Sequence, residues 1–173
     1  MAISIPVLET ERLVLRAHSV KDFAALADMW ADERVTRYTI GKPATKEESW
    51  SRLLRDAGHW TVLGFGFWAV EEKASGKYAG EVGFLDLRRN IQPSLAGMPE
   101  IGWILVPDFH GKGYATEAAR AALAWGDGNL KCSRTSCIVN SENTASLRVA
   151  EKVGYGGPVS TTYKDQPVVI LFR

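Results

Sequence analysis

The chain has 173 residues, 46% hydrophobic and 24% charged, with 21 basic against 20 acidic side chains and a formal net charge of +1. That length suits one domain with a proper core, and the charge balance gives no bulk attraction to nucleic acid or to an anionic membrane. Cys132 and Cys137 are too few and too close for a disulfide framework, no apolar run is long enough for a membrane span, and no secretory pattern opens the chain, so a cytoplasmic protein is expected.

In chain order, Arg12–Arg16 alternates as a first strand. Ser19-Val-Lys-Asp22 resembles a capping box and introduces a helix with Phe23, Leu26, Ala27 and Trp30 at helical spacing. An irregular connection follows at Val35–Pro43. Thr45-Lys-Glu-Glu48 is a second capping signal, opening a helix through Trp50, Leu53 and Leu54. Phe65–Glu71 reads as the second strand and Glu72–Gly76 as its turn. Tyr78–Leu87 is the third, with Gly80 and Gly83 marking a bulge or close packing. Asn90–Pro99 is a loop, and Ile101–Val106 is the fourth strand, ending at Pro107. An alanine-rich helix, a strand at Ser133–Asn140 and a short helix at Thr144–Val153 come next, the last stopped by Gly154. Val159–Tyr163 and Val168–Phe172 form a terminal hairpin about Lys164–Pro167. Mostly antiparallel neighbours with one strand–helix–strand crossover make the class α+β, with seven strands and about four helices.

Between the fourth strand and the alanine-rich helix lies His110-Gly111-Lys112-Gly113-Tyr114-Ala115. A strand passing through glycines into a helix presents several unpaired N–H groups at the positive end of the helix dipole, an arrangement matched to phosphate. It is not a Walker loop, because Gly113 rather than Ser or Thr follows Lys112. Nor is it a Rossmann turn, because Thr116 replaces the third small residue and Lys131 and Cys132 stand where an acidic residue belongs.

His110-Gly-Lys-Gly-Tyr-Ala115 resembles the Gln/Arg-x-x-Gly-x-Gly/Ala signature of the GNAT acyl-CoA acyltransferases, with His110 in place of the usual Gln or Arg. Asn143-Thr-Ala-Ser146-Leu-Arg-Val-Ala-Glu151-Lys152-Val-Gly154-Tyr155 looks like that superfamily's N-x-x-S-x-x-x-x-E-K-x-G-aromatic segment. Leu8-Glu-Thr-Glu-Arg-Leu-Val-Leu-Arg16 and Glu100-Ile-Gly-Trp103 are similar to the branch holding the ribosomal-protein N-terminal acetyltransferases. The resemblance spans essentially the whole chain, in order. It implies a single GNAT-like domain over 1–173, with a mixed sheet whose parallel fourth and fifth strands splay apart around acetyl-CoA.

The resemblance further implies that the pyrophosphate rests on the turn from His110 through Gly111, Lys112, Gly113 and Tyr114 to Ala115. The pantetheine arm would then run along Ile104, Leu105 and Val106, with Asn143 reaching it from the next helix. Transfer to a primary amine, either a protein N-terminus or a small molecule, needs a neutral nucleophile and a protonated leaving thiolate. Glu100 is the expected base, with Glu81 its competitor, and Ser146 the expected proton donor, with Tyr155 behind it. Trp30 or Trp103, and Arg34, Arg37 and Tyr38, are candidates for the acceptor pocket. A covalent intermediate on Cys137 is disfavoured, since no His stands beside it. His18, His59 and His110 fit no zinc spacing, so no metal is expected. The partners expected are an acyl-CoA and an amine, with no nucleic acid or membrane, in a monomer or homodimer. The alternative is an acyl-CoA-binding module without efficient transfer.

Overall fold

The computed structural model describes residues 4–173. Its strands are β1 (Leu8–Glu9), β2 (Leu13–Arg16), β3 (Phe67–Glu72), β4 (Tyr78–Leu85), β5 (Glu100–Leu105), β6 (Ser136–Asn140), β7 (Gly156–Tyr163) and β8 (Gln166–Phe172). The helices are α1 (Phe23–Ala31), α2 (Glu33–Thr36), α3 (Lys46–Leu63), α4 (Tyr114–Asn129) and α5 (Thr144–Lys152). All eight strands form one sheet in the order β1-β2-β3-β4-β5-β6-β8-β7. The α+β class holds, with two short additions to the expected seven strands and four helices. The pair Leu8–Glu9 adds to the edge of β2. The single turn α2 overlaps only the start of the stretch Val35–Pro43 expected to be irregular, and Asp32 caps it by accepting from the Arg34 N–H at 2.8 Å.

Both expected capping signals begin helices. The Thr45 hydroxyl accepts from the Glu48 N–H at 3.1 Å and the Glu48 carboxylate from the Thr45 N–H at 2.8 Å. The Asp22 carboxylate reaches back to the Ser19 N–H at 2.7 Å ahead of α1. Each box satisfies donors that a helix start leaves unpaired.

Strand pairing divides the side chains between two faces, because cross-strand partners point the same way. Val82, Phe84, Ile101, Leu105, Cys137 and Val139 lie on one face, under Ala118, Ala119, Ala122 and Leu123 of α4. Bare alanines let α4 settle close to the sheet. At its far end, the Trp60, Trp68 and Trp125 rings pack edge-on with centroids 4.7–5.3 Å apart. On the other face, Leu26, Met29 and Trp30 of α1 and Leu53 of α3 pack against Tyr78 of β4 and Ile104 of β5. The loop after β4 covers the C-terminal strands with Ile91 and Leu95.

The one parallel neighbour pair is β5–β6, joined at Glu100↔Ser136 alone. From that bridge the strands diverge toward their C-terminal ends, which feed α4 and α5. Five further residues of β5 place Leu105 roughly 17 Å from the bridge. The sheet is thus split, and the helix starts after both strands stand at its open end.

Candidate active site

At the open end of the split, Val106 donates to the Ala79 carbonyl at 2.9 Å, so its backbone groups face β4. Backbone direction alternates along a strand. Ile104 therefore also faces β4, and only Leu105 and Trp103 present N–H and C=O groups to the cleft. Of the three residues expected to pair with an extended arm, Leu105 offers its backbone, while half-buried Ile104 and Val106 offer side chains. The His110 ring fills the position expected of Gln or Arg in an unexpected way. Its Nε2 lies 2.8 Å from the Leu105 carbonyl oxygen, which makes Nε2–H the donor there and leaves the Leu105 N–H to the cleft.

The turn beyond is built for an anion. Among the described residues, no backbone carbonyl takes the N–H groups of Gly111, Lys112 or Gly113, and Tyr114 and Ala115 begin α4 without intrahelical acceptors. Gly113 caps the helix at φ +81°, a left-handed conformation that costs an L side chain roughly 1–2 kcal/mol. The Tyr114 ring is turned away from the opening: it stacks on Phe109 and its hydroxyl donates to Glu72 Oε1 at 2.6 Å. The Lys112 ammonium lies 5.1 Å from the Phe109 ring centre.

The connection between β1 and β2, inside the Leu8–Arg16 pattern, reaches this turn directly. Arg12 donates from Nε to Glu117 Oε2 at 2.7 Å, from its backbone N–H to Oε1 at 2.9 Å, and from Nη1 to the Lys112 carbonyl at 2.9 Å. Thr10 adds a hydroxyl bond to Glu117 at 2.6 Å. The segment thereby clamps the first turn of α4 and draws the Lys112 carbonyl away from the N–H groups that face outward.

Across the split, Asn143 caps α5, its Oδ1 accepting from the Ser146 N–H at 3.1 Å. Ser146 is half-buried in the first turn. Tyr155 stands elsewhere: its hydroxyl shares a 2.6 Å bond with Thr135 beneath the sheet, and burial pushes its pKa well up. Cys137 is buried on that same face, and burial with the nearby Glu100 charge pushes its thiol far above the range of a reactive thiolate.

The two candidate bases share the other face of the sheet. Glu81 pairs with Ile104, Gly83 with Gly102 and Leu85 with Glu100, so the carboxylates stand apart on this face with Gly83 and Gly102 between them, where the missing side chains leave room for the Phe67 ring over Gly102. Glu100 lies at the closed end. Both of its oxygens are held by Arg89, at 2.7 and 2.8 Å, and the Arg89 guanidinium also covers the Tyr163 ring at 4.9 Å. Glu81 lies at the open end and is wholly buried. Its Oε1 accepts from Trp30 Nε1 at 3.1 Å, its Oε2 from the Tyr78 hydroxyl at 3.4 Å, and His18 Nε2 stands 3.4 Å from Oε2. Asp56 and Arg52 of α3 complete this group, the guanidinium of Arg52 lying 4.3 Å from the Trp30 ring centre.

Burial and the Glu81 charge raise Asp56 to about 6. His18 loses proton affinity to burial but regains more from Glu81, and ends above the usual imidazole value. Sequence reading did not assemble this cluster, because its members come from a loop, a strand and two helices. Of the other pocket candidates, Trp30 belongs to the cluster, whereas Trp103 packs beneath α4. Arg34, paired with Asp32, and Arg37, 4.6 Å from the Tyr38 ring centre, are exposed beyond α1.

The acetyltransferase (GNAT) domain family matches residues 12–156. This chain belongs to the GNAT acetyltransferase family. A solved structure from Bordetella pertussis, assigned to the GnaT acetyltransferases, is 31% identical with a TM-score of 0.85, over 98% of this chain and 99% of that one. The uncharacterized N-acetyltransferase YoaA of Bacillus subtilis is 27% identical over 87% of this chain and 82% of its own. A ribosomal-protein-S5-alanine acetyltransferase of Vibrio fischeri, 18% identical, shares the fold at a TM-score of 0.74 over 98% and 96% of the two chains. The GNAT acetyltransferase assignment thus rests on both sequence and fold. Among the described residues no cluster of three metal-ligating side chains occurs, and no helix is long and apolar enough to cross a membrane.

Proposed function

We propose that this GNAT acetyltransferase moves the acetyl group of acetyl-CoA to a primary amine by direct attack in a ternary complex, with residues 1–173 working as one domain. The carrying observation is the split sheet itself. Unpaired N–H groups of Gly111–Ala115 stand at its open end, and a buried carboxylate lies one strand away. Pyrophosphate on that turn directs an extended arm along the Leu105 edge, where the free N–H is a partner for an amide or the thioester carbonyl. The amine approaches from the face that carries Glu81, loses a proton and attacks the carbonyl carbon. The C–S bond breaks, and the departing thiolate takes a proton through the Ser146 hydroxyl, which is reprotonated from solvent, with Asn143 donating from its amide nitrogen to the arm.

For the base, the geometry supports Glu81 over Glu100. Both Glu100 oxygens are engaged by the Arg89 guanidinium, which ties this carboxylate to that partner rather than to an incoming amine. Glu81 instead faces single, longer donors and sits across from Ile104, beside the cleft edge.

The test starts from melting temperature with acetyl-CoA, ATP and NAD in parallel. Acetyl-CoA at a hundredfold excess over its dissociation constant should stabilise the protein by about 2.7 kcal/mol, and the other two should not. Thiol release is then followed with a short peptide bearing an N-terminal alanine and with a small alkylamine. Glu81→Gln should lower kcat at least a hundredfold, and Glu100→Gln should lower stability more than turnover. The reverse order would move the base to Glu100. Stabilisation without thiol release from any amine would reduce the protein to a binding module.

A further inference from the structure

The polar cluster under α1 and α3 holds more unpaired atoms than a settled core tolerates. His18 Nδ1 and Nε2, Ser49 Oγ, Arg52 Nε and Asp56 Oδ2 are all buried without a hydrogen-bond partner among the described residues. Such atoms are rare in native interiors and call for an explanation. They surround Glu81, itself fully buried. A buried carboxylate without a counter-charge takes up a proton, and a protonated Glu81 is no base. Its two hydrogen bonds come from neutral groups, Trp30 and Tyr78.

The charged groups nearby have other engagements. Arg16 is bound to Asp22 and Glu71, with oxygens at 2.8 and 2.9 Å. Arg55 is bound to Asp56 Oδ1 at 2.9 Å. Arg52 lies over Trp30 and makes no ion pair among the described residues. His18 alone brings a positive charge within ion-pair distance of Glu81, at 3.4 Å and with only 2% of its side chain exposed. Asp56 on α3 and Asp22 ahead of α1 lie near enough to favour the imidazolium too.

We propose that His18 is a positioning residue, an imidazolium buried against Glu81 that keeps this carboxylate ionised, and that Asp56 holds the proton on the His18 ring. This rests on Glu81 as the base. The pair is not aligned as a hydrogen bond, so His18 supplies charge to Glu81 without occupying the lone pairs that take the proton of the amine, directly or through one water.

The chain contains only three histidines, so ring ¹⁵N–¹H correlation spectra followed from pH 5 to 9 test the inference without knowledge of the acceptor. His18→Gln assigns the signal. The intact protein should show His18 half-titrating above the ordinary value of about 6.5, and Glu81→Gln and Asp56→Asn, both the same size as the residues they replace, should each lower that midpoint by about one unit or more. A midpoint at or below 6.5, or one that neither variant moves, overturns the proposal. With an amine that turns over, Asp56→Asn should also move the acidic limb of the kcat/KM profile while leaving KM for acetyl-CoA unchanged. An unmoved limb in a folded variant counts against the proposal. Full turnover by Glu81→Gln would remove the base assignment, whereas a dead Glu81→Gln with an unmoved His18 would remove this inference alone.

Discussion

At the scale of single residues, chemistry follows from which face of the sheet a side chain occupies. Cys137 and Glu100 lie one bridge apart on β5–β6, yet the thiol points under α4 and the carboxylate toward the acceptor side. Burial makes the Cys137 thiol a poor nucleophile in any transfer step. Cys132, by contrast, is exposed in the loop before β6. Alkylation of the native protein with iodoacetamide should therefore label one thiol per chain at Cys132, and a second only after denaturation. Cys137→Ala should keep kcat within a few-fold while losing about 1–2 kcal/mol of stability from the vacated core volume. Mass spectrometry of the labelled peptides and urea unfolding check both statements, and a large loss of kcat in a folded Cys137→Ala would revive a covalent route.

At the scale of elements, the N-terminal strands and α4 act as one unit. Arg12 and Thr10 hold Glu117 and the Lys112 carbonyl, so the phosphate turn is clamped from a segment about a hundred residues away in sequence. Arg12→Gln removes the charge and the clamp on Lys112. It should weaken CoA binding about five- to tenfold, the scale of one partly exposed charge contact. Binding of S-acetylpantetheine, which has no pyrophosphate, should hardly change. Calorimetry on both ligands separates a loosened turn from general damage, which would weaken both alike.

The same comparison shows which elements were legible in sequence. The capping boxes of α1 and α3, the glycine turn and the terminal hairpin each carry their signal within a few residues, and each forms where expected. The Leu8–Glu9 strand is too short to show a period and exists because β2 offers it an edge. The Arg89 grip on Glu100 and the gathering of His18, Asp56 and Trp30 about Glu81 depend on tertiary contact. No local pattern encodes them, so the sequence alone cannot weigh Glu100 against Glu81 by their partners.

At the scale of the whole molecule, burying charge on the acceptor side gives the fold a distinctive response to pH. Burial opposes ionisation of Asp22 and Glu117, but bonds from Arg16 and Ser19 to the first, and from Thr10 and Arg12 to the second, overcome it and lower both. A lowered carboxylate stabilises above its unfolded value and loses that contribution as pH falls through its folded one. These groups therefore weaken the fold only below about pH 4, the ordinary carboxylate range. Asp56 works in the opposite sense. Its pKa is raised to about 6 by burial and the Glu81 charge, so its protonated form is favoured by folding, and that contribution is lost as pH rises through 6. His18, raised above its ordinary value, likewise contributes below about 6.5 and loses that contribution at higher pH.

The two senses combine into a stability maximum on the acid side of neutrality. Urea midpoints should rise as pH falls from 8 to between 4 and 5, first through His18 and then through Asp56, and drop below about 4. The whole Asp56 contribution, spread between about pH 6 and 4, is on the order of 2–3 kcal/mol, about half of it recovered by pH 5. Asp56→Asn should remove most of that limb while leaving the acid collapse in place, and should make the protein more stable than wild type at pH 8. A midpoint that stays flat from pH 5 to 8, or an unchanged limb in Asp56→Asn, would show that Asp56 is not a buried charge and that the carboxylate pair on this face is already neutral at rest. The outcome bears on chemistry as well as on folding. Keeping Asp56 buried beside Glu81 lowers stability at neutral pH, a loss that the proposed role of this cluster in proton transfer would account for.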